Sequence, residues 1–323
     1  MASTKPFRIL ALAGGGYLGL YTATVLAALE ERWGAPLGRR FDLIAGTSVG
    51  GILAVALAYE VPMPRLVDLF VEQGREVFSK RGLPGGTVGR MLDMSRSILG
   101  PKYSGDALRA ALQRELGERS LADALHDVVV PAVDVTHSLT KVFKTPHVAA
   151  SRGDESVRAV DVAMATSAAP AYFPSVQIGD SLYADGGLFA VAPDQVALHE
   201  AEHFMRVDLE RISMLSVGTA TVGYRPAGGP GASDGAVDWL ADGRLLLTLV
   251  SVQQQHVQAM MEDRLGRRYR RIDAAWPTDA GLGIDVATPK AAQTLVELAR
   301  QTMRDLDPRS LDAFVGAAPV TTG

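Results

Sequence analysis

Phe41-Asp42-Leu43-Ile44-Ala45-Gly46-Thr47-Ser48-Val49-Gly50-Gly51-Ile52-Leu53-Ala54-Val55-Ala56-Leu57-Ala58-Tyr59 is the stretch that decides the fold class. Phe41 to Ala45 is a short apolar run of strand length, and Val49 to Tyr59 is an almost wholly apolar run of helical length. Gly46 to Ser48 turn one into the other. The turn has the form Gly-x-Ser-x-Gly. Gly46 and Gly50 tolerate strained backbone and let other chain pass close by, so the Ser48 hydroxyl is left exposed at the carboxyl edge of a sheet. It also stands at the positive end of the following helix, which favours developing negative charge. In a chain of 323 residues with 33 glycines the bare pattern is weak, and the strand before and helix after give it weight. The alternative is an ordinary strand-to-helix turn with a capping serine.

Toward the N-terminus, Phe7 to Ala13 is a second buried-strand run, ending in Gly14-Gly15-Gly16. Helical spacing follows from about Leu18 to Arg32, before Gly34 and Pro36 stop it. Two strand-to-helix units this close imply an α/β chain with a parallel sheet covered by helices. Gly14-Gly15-Gly16-Tyr17-Leu18-Gly19 also satisfies the dinucleotide fingerprint. A ribose would need an acid near the end of the second strand, yet that strand ends Ala45-Gly46-Thr47-Ser48. Read as an oxyanion hole, Gly14, Gly15 and Gly16 aim backbone N–H groups at the charge of a tetrahedral intermediate. Tight strand–helix packing is the remaining reading of the same glycines.

Toward the C-terminus, residues 82–105 are glycine-rich with interleaved methionines and read as a flap or lid. A helix is predicted over Ala107–Leu116, strands over Val128–Val135 and Lys141–Lys144, and a helix over Val160–Ser167 that Pro170 stops. Ser181 to Ala184 lead as a strand into Asp185-Gly186-Gly187. Ile212–Val217 is a further strand, residues 236–263 look helical, and a last helix runs from about Pro289 to Leu306. No linker divides the chain, so residues 1–323 read as one domain, with its motifs within 7–220 and a helical part over 236–310.

A serine nucleophile needs a base. None of His126, His137, His147, His199, His203 and His256 lies in a glycine-flanked turn, and an α/β-hydrolase would place several strands ahead of the one that carries its serine, where this chain has one. Asp185, at a strand end before Gly186 and Gly187, is the better partner for Ser48. Its carboxylate is a weak base in water and needs a desolvated site with a direct hydrogen bond to the hydroxyl. His199 and His203 share a helix face with Glu200 between them, but no third ligand follows, and no metal or other cofactor is expected.

Composition narrows the partners. With 47% hydrophobic and 21% charged residues the chain can bury a large core. The net charge of −4 argues against a DNA or RNA partner held by global charge, and the absence of cysteine excludes thiolate chemistry and disulfides. No apolar run reaches a membrane span and no secretory leader is evident, so a cytoplasmic chain with peripheral membrane contact is expected. Arg264, Arg267, Arg268, Arg270 and Arg271 could draw anionic lipid, or form a solvated or strand-edge run.

Glycine loop, Gly-x-Ser-x-Gly about thirty residues later, and Asp-Gly-Gly in the second half resemble, in that order, the patatin-like phospholipases. Ala165-Thr166-Ser167-Ala168-Ala169-Pro170 and Ser216-Val217-Gly218-Thr219 extend the likeness. The resemblance implies a three-layer α/β/α sandwich with a mostly parallel sheet, a Ser48–Asp185 dyad, and hydrolysis of membrane phospholipids or other acyl esters. Two positions depart from the family pattern: Leu18, where Arg or Lys is usual, and Ala192, where Asn is usual. Phe143-Lys144-Thr145-Pro146-His147 resembles the bacterial branch that a cyclic nucleotide switches on in antiphage defence, which implies such an activator. Self-association is left open.

Overall fold

The computed structural model of the chain describes residues 5–78, 100–149, 153–226, 231, 235, 239, 243–277 and 281–316. In chain order its main elements are β1 (Phe7–Leu12), α1 (Gly19–Trp33), β2 (Leu43–Gly46), α2 (Val49–Ala58), α3 (Met63–Val77), α4 (Asp106–Leu116), β3 (Val128–Asp134), β4 (Leu139–Lys144), α5 (Ala159–Thr166), β5 (Val176–Ile178), β6 (Ser181–Asp185), the single turn α6 (Gly187–Ala190), α7 (Asp194–His199), β7 (Ile212–Val217), α8 (Arg244–Leu265), β8 (Tyr269–Ile272) and α9 (Pro289–Asp305). Their ends follow local chemistry. Gly34 closes α1 in the left-handed conformation at φ 62°, and the Thr288 hydroxyl caps α9 by accepting from Ala291 N at 3.1 Å, with Pro289 at the first helical position.

The sheet runs β5-β6-β3-β2-β1-β7-β8, with β4 also on β3. β1 pairs in parallel with both β2 and β7, β2 with β3, and β7 with β8, whereas β4 and β6 run antiparallel to β3. Alternation along β1 sorts its side chains to the two faces. Leu10 and Leu12 join one apolar cluster with α1, α2, α3, α4, α5 and α9, while Ile9 and Ala11 join another with α7 and α8. All ten residues of α2 are buried, as its unbroken apolar sequence requires. The result is a three-layer α/β/α fold around a mostly parallel sheet.

Most predicted elements appear within one or two residues of their expected bounds. The helix expected over 236–263 is α8, which starts at Arg244, and the residues ahead of it lie largely outside the described ones. The glycine-rich segment read as a lid also lies outside the described residues, save its last few from Gly100 on. Sequence reading does not anticipate α3 or β5. The arginine run is part solvated and part edge strand: β8 ends the sheet, yet Arg271 is buried against Asp273. Among the described residues no helix is long and apolar enough to cross a membrane.

Candidate active site

Three strands pair with β3, which has only two edges. β4 lies along one edge from Val129 to Asp134. The other is shared: β2 places Ile44 and Ala45 beside Val128 and Val129, and β6 places Tyr183 to Asp185 beside Asp134 to Ala132. The two strands therefore approach each other end to end, and the turn carrying Ser48 meets the turn carrying Asp185. Pro131 sits where one partner gives way to the other, and having no N–H it leaves no orphan donor there. Its carbonyl accepts from Thr166 Oγ1 at 2.6 Å, and a Cβ on Gly186 would stand 2.3 Å from the same oxygen. Only glycine fits at 186.

Ser48 adopts φ 55° and ψ −127°, a strained conformation for a residue with a side chain, of the kind concentrated at functional turns. The flanking glycines make the turn sterically feasible. A Cβ at Gly46 would lie 2.0 Å from the Gly50 carbonyl, and one at Gly50 would lie 2.2 Å from that of Leu12. Ser48 N donates to Thr166 Oγ1 at 3.0 Å, and Ser48 Oγ donates to Asp185 Oδ2 at 2.7 Å. The second Asp185 oxygen accepts from Gly187 N at 2.6 Å, and Asp185 N donates to the Ala168 carbonyl at 3.0 Å. Burial pushes the Asp185 carboxyl up to about 6, against the opposing pull of the Gly187 and Ser48 hydrogen bonds.

The glycine loop faces this pair, with Gly14 packed so closely that its Cβ would be 3.1 Å from that of Ser48. The three amides are not equivalent. Gly14 N donates to the Val191 carbonyl at 2.8 Å and is spent within the protein, whereas among the described residues Gly15 N and Gly16 N have no protein acceptor. Of the three expected donors, the Gly14 amide is therefore engaged elsewhere. Leu18 is fully buried in the first core cluster and Ala192 lies in the second, so both departures from the family pattern supply packing here.

Behind the serine opens an apolar cavity of about 1150 Å³, counting its open mouth. Helix α3 forms one wall through Leu66, Leu69 and Phe70, and α8 another through Leu246, Leu249 and Val250. Neither helix is tied to the site by the sequence motifs. Among the described residues Asp185 is the only carboxylate lining this space, and no histidine does. His126 contacts Glu60, His137 contacts Asp134, and His147 contacts Glu200. His199 and His203 stack on each other, 5.0 Å between centroids. Among the described residues no group of three or more potential ligands is arranged to hold a metal. Asp42, the acid of the second strand, sits at its start and accepts from Arg8 N at 2.8 Å, away from where a ribose would lie.

Several supporting residues escape motif reading. Gln253 of α8 spans the Asp185 turn, accepting from Val191 N at 3.0 Å and donating to the Gly187 carbonyl at 3.1 Å. Its neighbour Gln254 donates to Thr219 Oγ1 at 3.1 Å. Thr219 had a signal in Ser216-Val217-Gly218-Thr219; the glutamines had none, since only packing brings α8 to the site. Phe143 to His147 form an internal brace: Phe143 is in the core, and Lys144 and His147 both pair with buried Glu200.

The fold is that of a patatin-type lipid hydrolase, and the chain belongs to the patatin-like phospholipase family, whose model matches residues 10–198. Two relatives matched over most of their own length are bacterial. A protein of Pseudomonas aeruginosa named cGAMP-activated phospholipase is 38% identical over 301 residues, 93% of this chain and 84% of that one. One of the same name from Vibrio cholerae is 33% identical over 91% of this chain and 89% of its own. Patatin-like protein 2 of Arabidopsis thaliana is 32% identical over 52% of this chain and 43% of its own. The chain is a phospholipase of this family.

Proposed function

We propose that the chain is a phospholipase A-type carboxylic ester hydrolase that releases fatty acids from membrane phospholipids by a Ser48–Asp185 dyad. The observation that carries this reading is the 2.7 Å hydrogen bond from Ser48 Oγ to Asp185 Oδ2 at the wall of an apolar cavity. Asp185 takes the Ser48 proton as Oγ attacks the ester carbonyl. The tetrahedral oxyanion is met by the amides of Gly15 and Gly16. Collapse breaks the bond to the alcohol, which leaves with the proton from Asp185, and water then hydrolyses the acyl-serine with Asp185 again taking and returning a proton. The acyl chain lies between α3 and α8.

The protein acts as a cytoplasmic enzyme bound peripherally to its membrane. Leu188 and Leu249 support this, because both line the cavity and are still 49% and 39% exposed. Phe189, next to Leu188, and Leu245 and Val252, one turn of α8 to either side of Leu249, are exposed as well. A cyclic dinucleotide switches the enzyme on, a reading supported by the name shared by the Pseudomonas and Vibrio relatives.

The test is titration of fatty acid released from phospholipid vesicles, with and without cyclic GMP-AMP. Wild type releases fatty acid when the nucleotide is present, and Ser48→Ala releases none under either condition. Release by Ser48→Ala would remove the nucleophile assignment, and nucleotide-independent release by wild type would remove the activator.

A further inference from the structure

The buried polar residues behind the glycine loop form a directional chain that ends on the loop itself. Arg271 on β8, only 5% exposed at its side chain and paired with Asp273 at 2.7 Å, donates from Nη2 to Gln254 Oε1. Gln254 donates from Nε2 to Thr219 Oγ1 at 3.1 Å and, at 3.5 Å, to the Gly14 carbonyl, and Thr219 Oγ1 donates to the same carbonyl at 3.3 Å. Each orientation is forced. A guanidinium has no acceptor, so the Gln254 oxygen must face it and the Gln254 NH₂ must face Thr219. The threonine hydroxyl, having accepted from that NH₂, has its single proton left for the Gly14 carbonyl. Thr219 is fully buried and Gln254 nearly so, which makes any unsatisfied member costly.

The Gly14 carbonyl and the Gly15 amide are the two ends of one planar trans peptide unit, so they point in opposite directions. Holding that carbonyl toward Thr219 turns the Gly15 N–H the other way, out of the loop and toward the cavity that Gly15 lines. Gly16 N belongs to the next peptide and is not fixed by this chain. We infer that Arg271, Gln254 and Thr219 are positioning residues that aim the Gly15 amide at the oxyanion. This rests on the Ser48–Asp185 reading and adds to it a device that sets donor geometry from the far side of the loop.

Thr219→Val keeps the shape and removes the hydroxyl, and Thr219→Ser restores it. Gln254→Glu keeps an acceptor for Arg271 and loses the donor to Thr219. Turnover of a soluble acyl ester, inhibition by an alkyl boronate and inhibition by a non-hydrolysable ether analogue of the substrate are to be measured for each. The expected result is a loss in kcat of roughly 10- to 100-fold for Thr219→Val and Gln254→Glu. KM should be little changed, boronate affinity should fall in proportion to kcat, ether affinity should be unchanged, and Thr219→Ser should recover activity. An unchanged kcat, or equal weakening of boronate and ether, overturns the positioning role and leaves the dyad standing. If Thr219→Val does not fold, the Gln254→Glu result decides in the same way. Turnover by Ser48→Ala would bring down the dyad and this inference together.

Discussion

In the proposed mechanism Asp185 has to be a base strong enough to take a serine proton, and burial raises its carboxyl accordingly. In the folded chain its carboxyl stands at about 6, against an ordinary value of 3.8. The folded state therefore holds this proton more tightly than the unfolded chain does. The stability it contributes is fully present below about pH 4 and is lost as pH rises through about 6, opposite to an ion-paired carboxylate. Held that far above its ordinary value, the buried carboxyl accounts for about 3 kcal/mol. Asp185→Asn should consequently be inactive yet more stable than wild type at pH 8, by up to about 3 kcal/mol, with the gap closing toward pH 4. Denaturant titrations at both pH values check this. Catalysis should run the other way, with kcat/KM rising through about pH 6 as the base ionises and levelling above it. A flat profile between pH 5 and 8 would disqualify Asp185 as the base.

The strand-turn-helix element holding Ser48 was legible because its requirements are local. A serine in strained backbone needs small neighbours, and Gly46 and Gly50 stand where a Cβ would collide with main chain. Gly50→Ala should push α2 off β1, costing about 1–3 kcal/mol and most of the activity. Gly34→Ala is the contrast: nothing lies within 4 Å of its Cβ, so only the left-handed φ of 62° penalises it, and activity should persist. Thermal melts and ester turnover on the two variants separate packing from strain. The helices that wall the cavity were not legible in this way. Helix α3 follows no catalytic motif, and α8 reaches the site only through tertiary packing, so nothing in Leu66, Leu249 or Gln253 marks it in sequence as a site residue.

For the whole molecule, exposed apolar side chains at two separate places test the proposed membrane face. Val252 is exposed on α8 one turn after the cavity-lining Leu249, whereas Leu125 precedes β3, at the end of the parallel strands away from Ser48. Val252→Glu should abolish vesicle binding and hydrolysis of vesicle lipid while leaving hydrolysis of a soluble short-chain ester within about twofold. Leu125→Glu, at a residue 63% exposed, should change neither. Co-sedimentation with vesicles and ester assays read both outcomes, and equal vesicle binding by the two variants would rule out the Val252 side as the membrane face.

The sequence by itself determined the order of motifs, the α/β class and Ser48 as the residue of the turn, and it favoured Asp185 over every histidine as the proposed partner. These follow from short-range rules: apolar period, glycine at forbidden backbone positions, and a carboxylate at a strand end. Tertiary structure decided what depends on distant segments meeting. The shared edge of β3 joins residue 48 to residue 185, the Val191 carbonyl takes the Gly14 amide and leaves those of Gly15 and Gly16, and a buried arginine on the last strand reaches the first loop through Gln254 and Thr219. Hydrogen bonds between residues some two hundred positions apart leave no periodic trace, because what selects them is the three-dimensional position of one buried donor and one acceptor.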